Sequence, residues 1–170
     1  MHLLTVSGSL RAGSSNHRLL EAVRLLAPGG WSVTPCTPLD ALPHFNPDLE
    51  EAGPPPAAAR WRAEIGACDA LLISCPEYIH GVPGTMKNAL DWLAGGMEMA
   101  GKPTVLLNAT PPSPYATASL LETLRVLGAN VLEKACLEIP LRGSPLEASG
   151  IAAHPVFSAR LRAVFEALRE

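Results

Sequence analysis

Long apolar runs, paired cysteines and a strong charge of either sign are all missing from this 170-residue chain. No stretch approaches the roughly 20 consecutive apolar residues of a membrane-crossing helix, so no membrane partner is expected. No basic segment precedes the first apolar run at Met1–Leu4, so a secretory leader is not expected either. The four cysteines, Cys36, Cys68, Cys75 and Cys136, contain no C-x-x-C pair. That spacing argues against a zinc site and against thioredoxin-like chemistry, and the thiols read as reduced groups in a cytoplasmic protein. Charged residues make up only 17% and the net charge is −3. A nucleic-acid partner is therefore not expected, because phosphate-backbone binding needs a basic face. Internal repeats and heptads are absent too.

What the chain does have is an alternation of short apolar runs with helical periodicity. His2–Ser7 (HLLTVS) is apolar and is stopped by Gly8, which predicts a strand buried on both faces. Leu19, Leu20, Val23, Leu26 and Ala27 follow at helical spacing until Pro28-Gly29-Gly30. WSVTPC, from Trp31, is a second strand weakened by Pro35, which removes a ladder donor. Thr37–Pro56 is rich in Pro, Asp and Asn and is expected to be a long irregular connection. Helices are expected over Ala57–Cys68, Thr85–Gly96, about Ala118–Leu127 and about His154–Arg169. Strands are expected within Asp69–Pro76, Lys102–Ala109 and Ala129–Ile139.

Strands alternating with helices give a parallel sheet with helices on both faces. Five such units suit an α/β, flavodoxin-like, doubly wound five-stranded sheet of order 2-1-3-4-5, with residues 1–170 as a single domain. In such a sheet ligands collect at the carboxyl ends of the strands, so the strand-end loops are where chemistry is sought.

The first of these loops lies in SGSLRAGSSNHRLL, Ser7–Leu20. Gly8 and Gly13 have Walker A spacing, but Ser14 stands where the lysine that reaches the outer phosphates would be. G-x-G-x-x-G is absent as well, which removes the dinucleotide fingerprint. What is left is a loop with the hydroxyls of Ser9, Ser14 and Ser15, the charge of Arg11 and the start of a helix. That set suits one terminal phosphate. Asn16 either caps the helix or bonds the phosphate. The plain alternative is that Ser14, Ser15 and Asn16 only cap a helix and Arg11 is a solvated charge.

The second loop opens the stretch PEYIHGVPGTMKNALDW, Pro76–Trp92. Its Pro76-Glu77-Tyr78 segment offers backbone donors and acceptors that would hold a planar heterocycle with alternating polar edge atoms. Tyr78 adds an aromatic surface. The plain alternative is a turn whose Tyr78 packs on the core and whose Lys87 and Asp91 form an i,i+4 surface pair.

Together the two loops resemble the NADPH-dependent FMN reductase family, which includes flavin, quinone, azo-dye and chromate reductases. The family's G-S-x-R-x-x-S-x-N is matched by Gly8, Ser9, Arg11, Ser14 and Asn16. Its P-E-Y-N-x-x-x-P-G-x-x-K-N-A-[IL]-D-W is matched by Pro76, Glu77, Tyr78, Pro83, Gly84, Lys87, Asn88, Ala89, Leu90, Asp91 and Trp92. LPHFNPDLE, Leu42–Glu50, is similar to the family's connection after the second strand, a segment that tends to lie at the subunit interface. The resemblance implies FMN as cofactor and NAD(P)H as co-substrate. It implies hydride passage to a small-molecule electron acceptor such as a quinone, a free flavin or an azo dye, and a homodimer or homotetramer. It carries the FMN phosphate to Ser9, Arg11, Ser14 and Asn16, and the flavin ring to Pro76, Glu77 and Tyr78.

Two positions depart from the family. Its Asn after Tyr is Ile79 here, which removes a side-chain amide but leaves the backbone. Its third loop holds a Ser followed by glycines, whereas this chain has NATPPSPYATAS, Asn108–Ser119, whose prolines fix φ and delete N–H donors. Tyr115 is the residue there that could replace the missing contacts. His80 lies near the implied ring site and is the candidate proton donor to a quinone, although a lone loop histidine is often a bystander. The departures keep open a flavodoxin-like binding or interaction protein with weakened or no flavin binding. Also open are an electron carrier and a phosphate-ester hydrolase, the last without a metal-binding carboxylate cluster to support it.

Overall fold

The computed structural model describes residues 1–110 and 113–169. Its strands are β1 (His2–Ser7), β2 (Ser32–Pro35), β3 (Ala70–Ser74), β4 (Pro103–Asn108), β5 (Asn130–Val131) and β6 (Leu137–Glu138). They form one parallel sheet in the order β2-β1-β3-β4-β5, with β6 also paired to β4. This is the expected 2-1-3-4-5 order with one difference. The fifth strand is broken into β5 and β6 by a 3₁₀ turn at Glu133–Ala135. Its two pieces pair with opposite ends of β4: Asn130 faces Pro103, and Glu138 faces Asn108.

The central strands alternate between two cores, as parallel strands covered on both faces must. Leu4, Val6, Leu71, Ile73 and Leu106 join one cluster with Trp61 and Ile65 of α3 (Pro56–Ala67), Met86 and Leu90 of α4 (Gly84–Asp91), and Leu120 and Leu124 of α5 (Pro114–Val126). Leu3, Leu72, Val105 and Leu107 join the other, with Leu19 and Val23 of α1 (Ser15–Leu25), Ile151 of α6 (Ala148–Ala153) and Phe165 of α7 (Pro155–Ala167). Helices therefore cover both faces.

Three helical details differ from the sequence expectation. The connection Thr37–Pro56 contains a 3₁₀ turn at Leu39–Ala41 and the short helix α2 (Pro47–Glu51), which Asn46 caps through Asp48 N–H at 3.0 Å. α5 begins at Pro114, since a proline at the first helical position has no N–H to leave unsatisfied. α6 precedes the final helix and is only six residues long, too short to show a periodicity.

Much of the second motif turns out to be structural. Asn88 accepts from Phe45 N–H at 2.8 Å and donates to Pro43 C=O at 2.9 Å. Trp92 Nε1 donates to the same Pro43 carbonyl at 2.8 Å, and its ring meets Phe45 edge-on. The buried indole of Trp61 donates to Ala89 C=O at 2.8 Å. The Asn88 and Trp92 bonds pin the Leu42–Glu50 segment to α4 and the Trp61 bond pins α3 to it, because buried N–H donors must find acceptors. Lys87 and Asp91 form the expected surface pair.

Candidate functional site

Because the strands are parallel, the loops after β1, β3, β4 and β6 emerge at one edge. They surround a cavity of about 640 Å³. The first loop contributes Ser9, Arg11, Gly13, Ser14, Ser15 and Asn16, and the second contributes Pro76, Glu77 and Tyr78. Thr110 and Ser113 come from the third, and Leu141–Ser144 from the stretch after β6. The structure thus brings together eight of the residues singled out in the sequence. Ile79, His80 and Tyr115 are not among the residues lining this cavity.

The first loop is tightly held. Gly8 N–H donates to Ser74 C=O at 2.9 Å, and a Cβ on Gly8 would lie 2.6 Å from Cys75 Sγ, so only glycine lets β1 and β3 exit this close together. Ser14 N–H donates to Arg11 C=O at 3.0 Å. Ser14, not Asn16, is the N-cap of α1, accepting from Asn16 N–H at 3.1 Å. Asn16 is only 2% exposed, and its amide ties Ser14 to Ser74, whose hydroxyl donates to Asn16 Oδ1 at 2.8 Å. Its main bonds therefore run inward, to the floor of the loop. The N–H groups of Gly13 and Ser15 have no hydrogen-bond partner among the described residues. Arg11 is exposed, and its guanidinium is in no ion pair or hydrogen bond among the described residues.

The second loop is built differently. Tyr78 N–H donates to Gly81 C=O, and Gly81 N–H to Tyr78 C=O, both at 3.0 Å. Ile79 and His80 between them have φ of +50° and +56°. Two left-handed residues inside a doubly bonded pair make a type I′ hairpin turn, whose first central position favours Asn or Gly. An Asn would suit this first central position, whereas Ile79 is a β-branched residue held where such residues are strained. Tyr78 uses its backbone groups within the turn. The N–H groups of Glu77, Ile79 and His80 have no partner among the described residues. His80 stacks on Tyr115, with centroids 4.3 Å apart and planes at 21°. That contact ties the tip of the second loop to the start of α5.

Glu77 performs the cap that Ser113 leaves undone: its carboxylate accepts from Ala116 N–H at 2.9 Å, at the positive end of α5. Asn108 organises the third loop, accepting from Thr110 N–H at 3.0 Å and from the Ser113 hydroxyl at 3.4 Å. Pro111 and Pro112, part of the proline-rich departure, lie outside the described residues. All four cysteines are free thiols. Burial pushes the Cys75 thiol up to about 12. Cys36 is also pushed up to about 12, by burial first and then by the nearby Glu64 carboxylate. Neither is a ready nucleophile. No cluster of metal-ligating residues occurs among the described residues, and no helix there is long and apolar enough to cross a membrane.

Sequence reading missed the fourth wall. Leu141–Ser144 came after the last expected strand, and its only signal was Arg142-Gly143-Ser144 between Pro140 and Pro145.

A doubly wound parallel sheet whose strand-end loops meet a helix N-terminus makes this a flavodoxin-like α/β protein with its candidate ligand site at the carboxyl ends of the strands. The profile of the NADPH-dependent FMN reductases matches residues 1–140, and the chain belongs to that family. It is 36% identical over 154 residues to an NAD(P)H-dependent FMN reductase of Pseudomonas aeruginosa, covering 87% of this chain and 82% of the relative. A quinone reductase of Pseudomonas putida is 38% identical over 109 residues, which is 62% of this chain and 58% of that protein. FerB of Paracoccus denitrificans, a flavoenzyme NAD(P)H:(acceptor) oxidoreductase, superposes with a TM-score of 0.77 at 26% identity, covering 99% of this chain and 95% of FerB. Membership makes the chain an oxidoreductase with FMN as cofactor and NAD(P)H as co-substrate.

Proposed function

We propose that the chain uses bound FMN to pass reducing equivalents from NAD(P)H to a small acceptor: a quinone, a free flavin, an azo dye or a compound of that kind. One observation carries the reading. The open N–H groups of Gly13 and Ser15, the unpaired Arg11 and the start of α1 border the same cavity as the Pro76–Tyr78 wall. These residues fit the cofactor: a phosphate needs such donors and a cation at one end, and a flavin ring needs a flat wall at the other.

When bound, FMN supplies the hydride chemistry, and the protein supplies position and exclusion of water. Ser9, Arg11, Ser14 and Ser15 hold the phosphate, while Asn16 holds the loop in shape. Pro76, Glu77 and Tyr78 form the ring wall, and the open N–H group of Glu77 is its hydrogen-bond donor. The His80–Tyr115 stack fixes that wall against α5, and His80, outside the cavity lining, is the candidate proton donor to an acceptor that lies over the turn. A homodimer or homotetramer is the assembly, and four free thiols suit a reducing, cytoplasmic setting.

The test is to add FMN to the purified protein and follow NADPH oxidation with a quinone acceptor. Bound flavin and acceptor-dependent turnover are expected. Failure to bind FMN at micromolar concentration sinks the reading, and binding without turnover makes the protein an electron carrier.

A further inference from the structure

We infer that the turn after β6 is a fourth, phosphate-binding wall of the flavin site, with Arg142 as a second guanidinium on the FMN phosphate and Arg18 as the residue that positions it. This rests on the proposed FMN reading and deepens it.

The turn is anchored on both sides. Upstream, the chain leaves β6 alongside β4: Ile139 N–H donates to Asn108 C=O at 2.8 Å, and Leu141 N–H to Ala109 C=O at 3.0 Å. Leu141 is 0% exposed. Ser144 N–H closes the turn on Leu141 C=O at 3.0 Å, with Gly143 at φ +73°. A glycine in that third place is what a type II turn requires. Downstream, Arg18 of α1 donates to Ser144 C=O at 3.1 Å and to Leu146 C=O at 2.6 Å. The helix that begins in the first loop thus grips the fourth loop directly. Arg142, at the corner of this turn, shares the cavity with Arg11, Gly13, Ser14 and Ser15.

Charge decides what Arg142 is for. A phosphate monoester carries about −1.5 to −2 at neutral pH. The end of a helix offers roughly +0.5, and Arg11 one full charge. A second cation balances the dianion. Arg142 is exposed, and its guanidinium is in no ion pair or hydrogen bond among the described residues. Arg24, Arg62, Arg125 and Arg169 are paired with carboxylates, and the exposed Arg60 and Arg162 do not line the cavity. Glu77, the acid on the cavity wall, is bonded to α5. Arg18 also lines the cavity, but its Nη1 is committed to the Ser144 and Leu146 carbonyls, and its role is to hold the turn.

The experiment titrates wild type, Arg142→Gln, Arg18→Lys and the double variant with FMN and with riboflavin, following flavin fluorescence. Arg142→Gln should weaken FMN by about 10-fold, the loss of one charge-assisted contact, and leave riboflavin unchanged. Arg18→Lys keeps the charge but not the two-carbonyl grip. It should lose part of the FMN preference, and the double variant should lose no more than Arg142→Gln alone. Additive losses would make Arg18 merely structural and overturn its positioning role. Equal loss of both flavins, or no loss of FMN, overturns the role of Arg142. So does a higher KM for NADPH at unchanged FMN affinity, which would assign Arg142 to the dinucleotide. If wild type binds riboflavin and FMN equally, the phosphate wall fails while a flavin site stands. If it binds neither, the proposed function itself fails.

Discussion

The first and second strand-end loops are built on opposite principles. In the first, Ser9, Ser14 and Asn16 are buried, and Ser14 and Asn16 are bonded into a web that includes Ser74. In the second and the start of α5 beside it, Tyr78 and Tyr115 are more than half exposed, Ile79 is 102% exposed, and Ile79 and His80 hold left-handed backbones. The first loop is set by packing against β3, and the second by one strained turn leaning on one aromatic stack. On the proposed reading, a phosphate needs fixed donors, which bonds within the first loop supply, and an exchanging substrate needs the less deeply buried edge.

The sharpest way to break this comparison is at Gly8. Gly8→Ala puts a methyl on Cys75 Sγ and should cost about 1–3 kcal/mol, as overpacking does, with FMN affinity falling alongside. Urea unfolding reads it, and adding Cys75→Ala should recover part of the loss. A wild-type midpoint would mean the loop is not tight.

Arg11→Ala comes next. It should weaken FMN by about 10- to 100-fold and riboflavin little, because hydrogen bonds to charged groups are worth roughly 1.5–3 kcal/mol. Equal losses in a fluorescence titration would deny the first loop its phosphate role.

At the second loop the sign reverses. Ile79→Asn should stabilise the fold by about 1 kcal/mol, since a left-handed backbone penalises a β-branched residue and an exposed side chain gives up no packing. Thermal melting should rise by about 2–4 °C, and a fall would show that the strain is not at Ile79.

A last test of the first loop's floor lies at alkaline pH. Unfolded thiols ionise near 9.0, whereas folded Cys75 and Cys36 hold their protons up to about 12. The folded state then binds more protons than the unfolded state above pH 9, so their contribution is complete below that pH and is lost as pH rises toward 12. A stability profile that is flat through this window, or rapid labelling of Cys75 by a thiol reagent at pH 8, would contradict a closed floor beneath Gly8.

The apolar runs at Leu3–Leu4, Leu71–Leu72 and Val105–Leu106 made the parallel sheet legible, because such strands must be covered on both faces, and the order 2-1-3-4-5 followed from five units suiting a flavodoxin-like domain. The first loop was legible for a similar reason: its donors and its helix lie within a few residues of one another. The broken fifth strand was not: Glu133-Lys134 interrupts the apolar run in the sequence, but only the pairing of β5 and β6 with opposite ends of β4 shows that the chain resumes as a strand. Nor was the work of Asn88 and Trp92, whose acceptor at Pro43 lies 45 and 49 residues away.

By itself the sequence determined the parallel sheet, the edge where its loops gather and the run of hydroxyls and one cation at Ser9–Ser15. Period, capping and loop chemistry are local properties that a chain carries wherever it goes. Only the tertiary structure decided that Glu77 caps α5, that Ile79 sits in a left-handed turn away from the cavity wall, and that Arg142 faces the same space as Arg11. Arg18 reaches Ser144 across 126 residues of chain, and a contact of that span exists only after the sheet has brought the two loops to one edge.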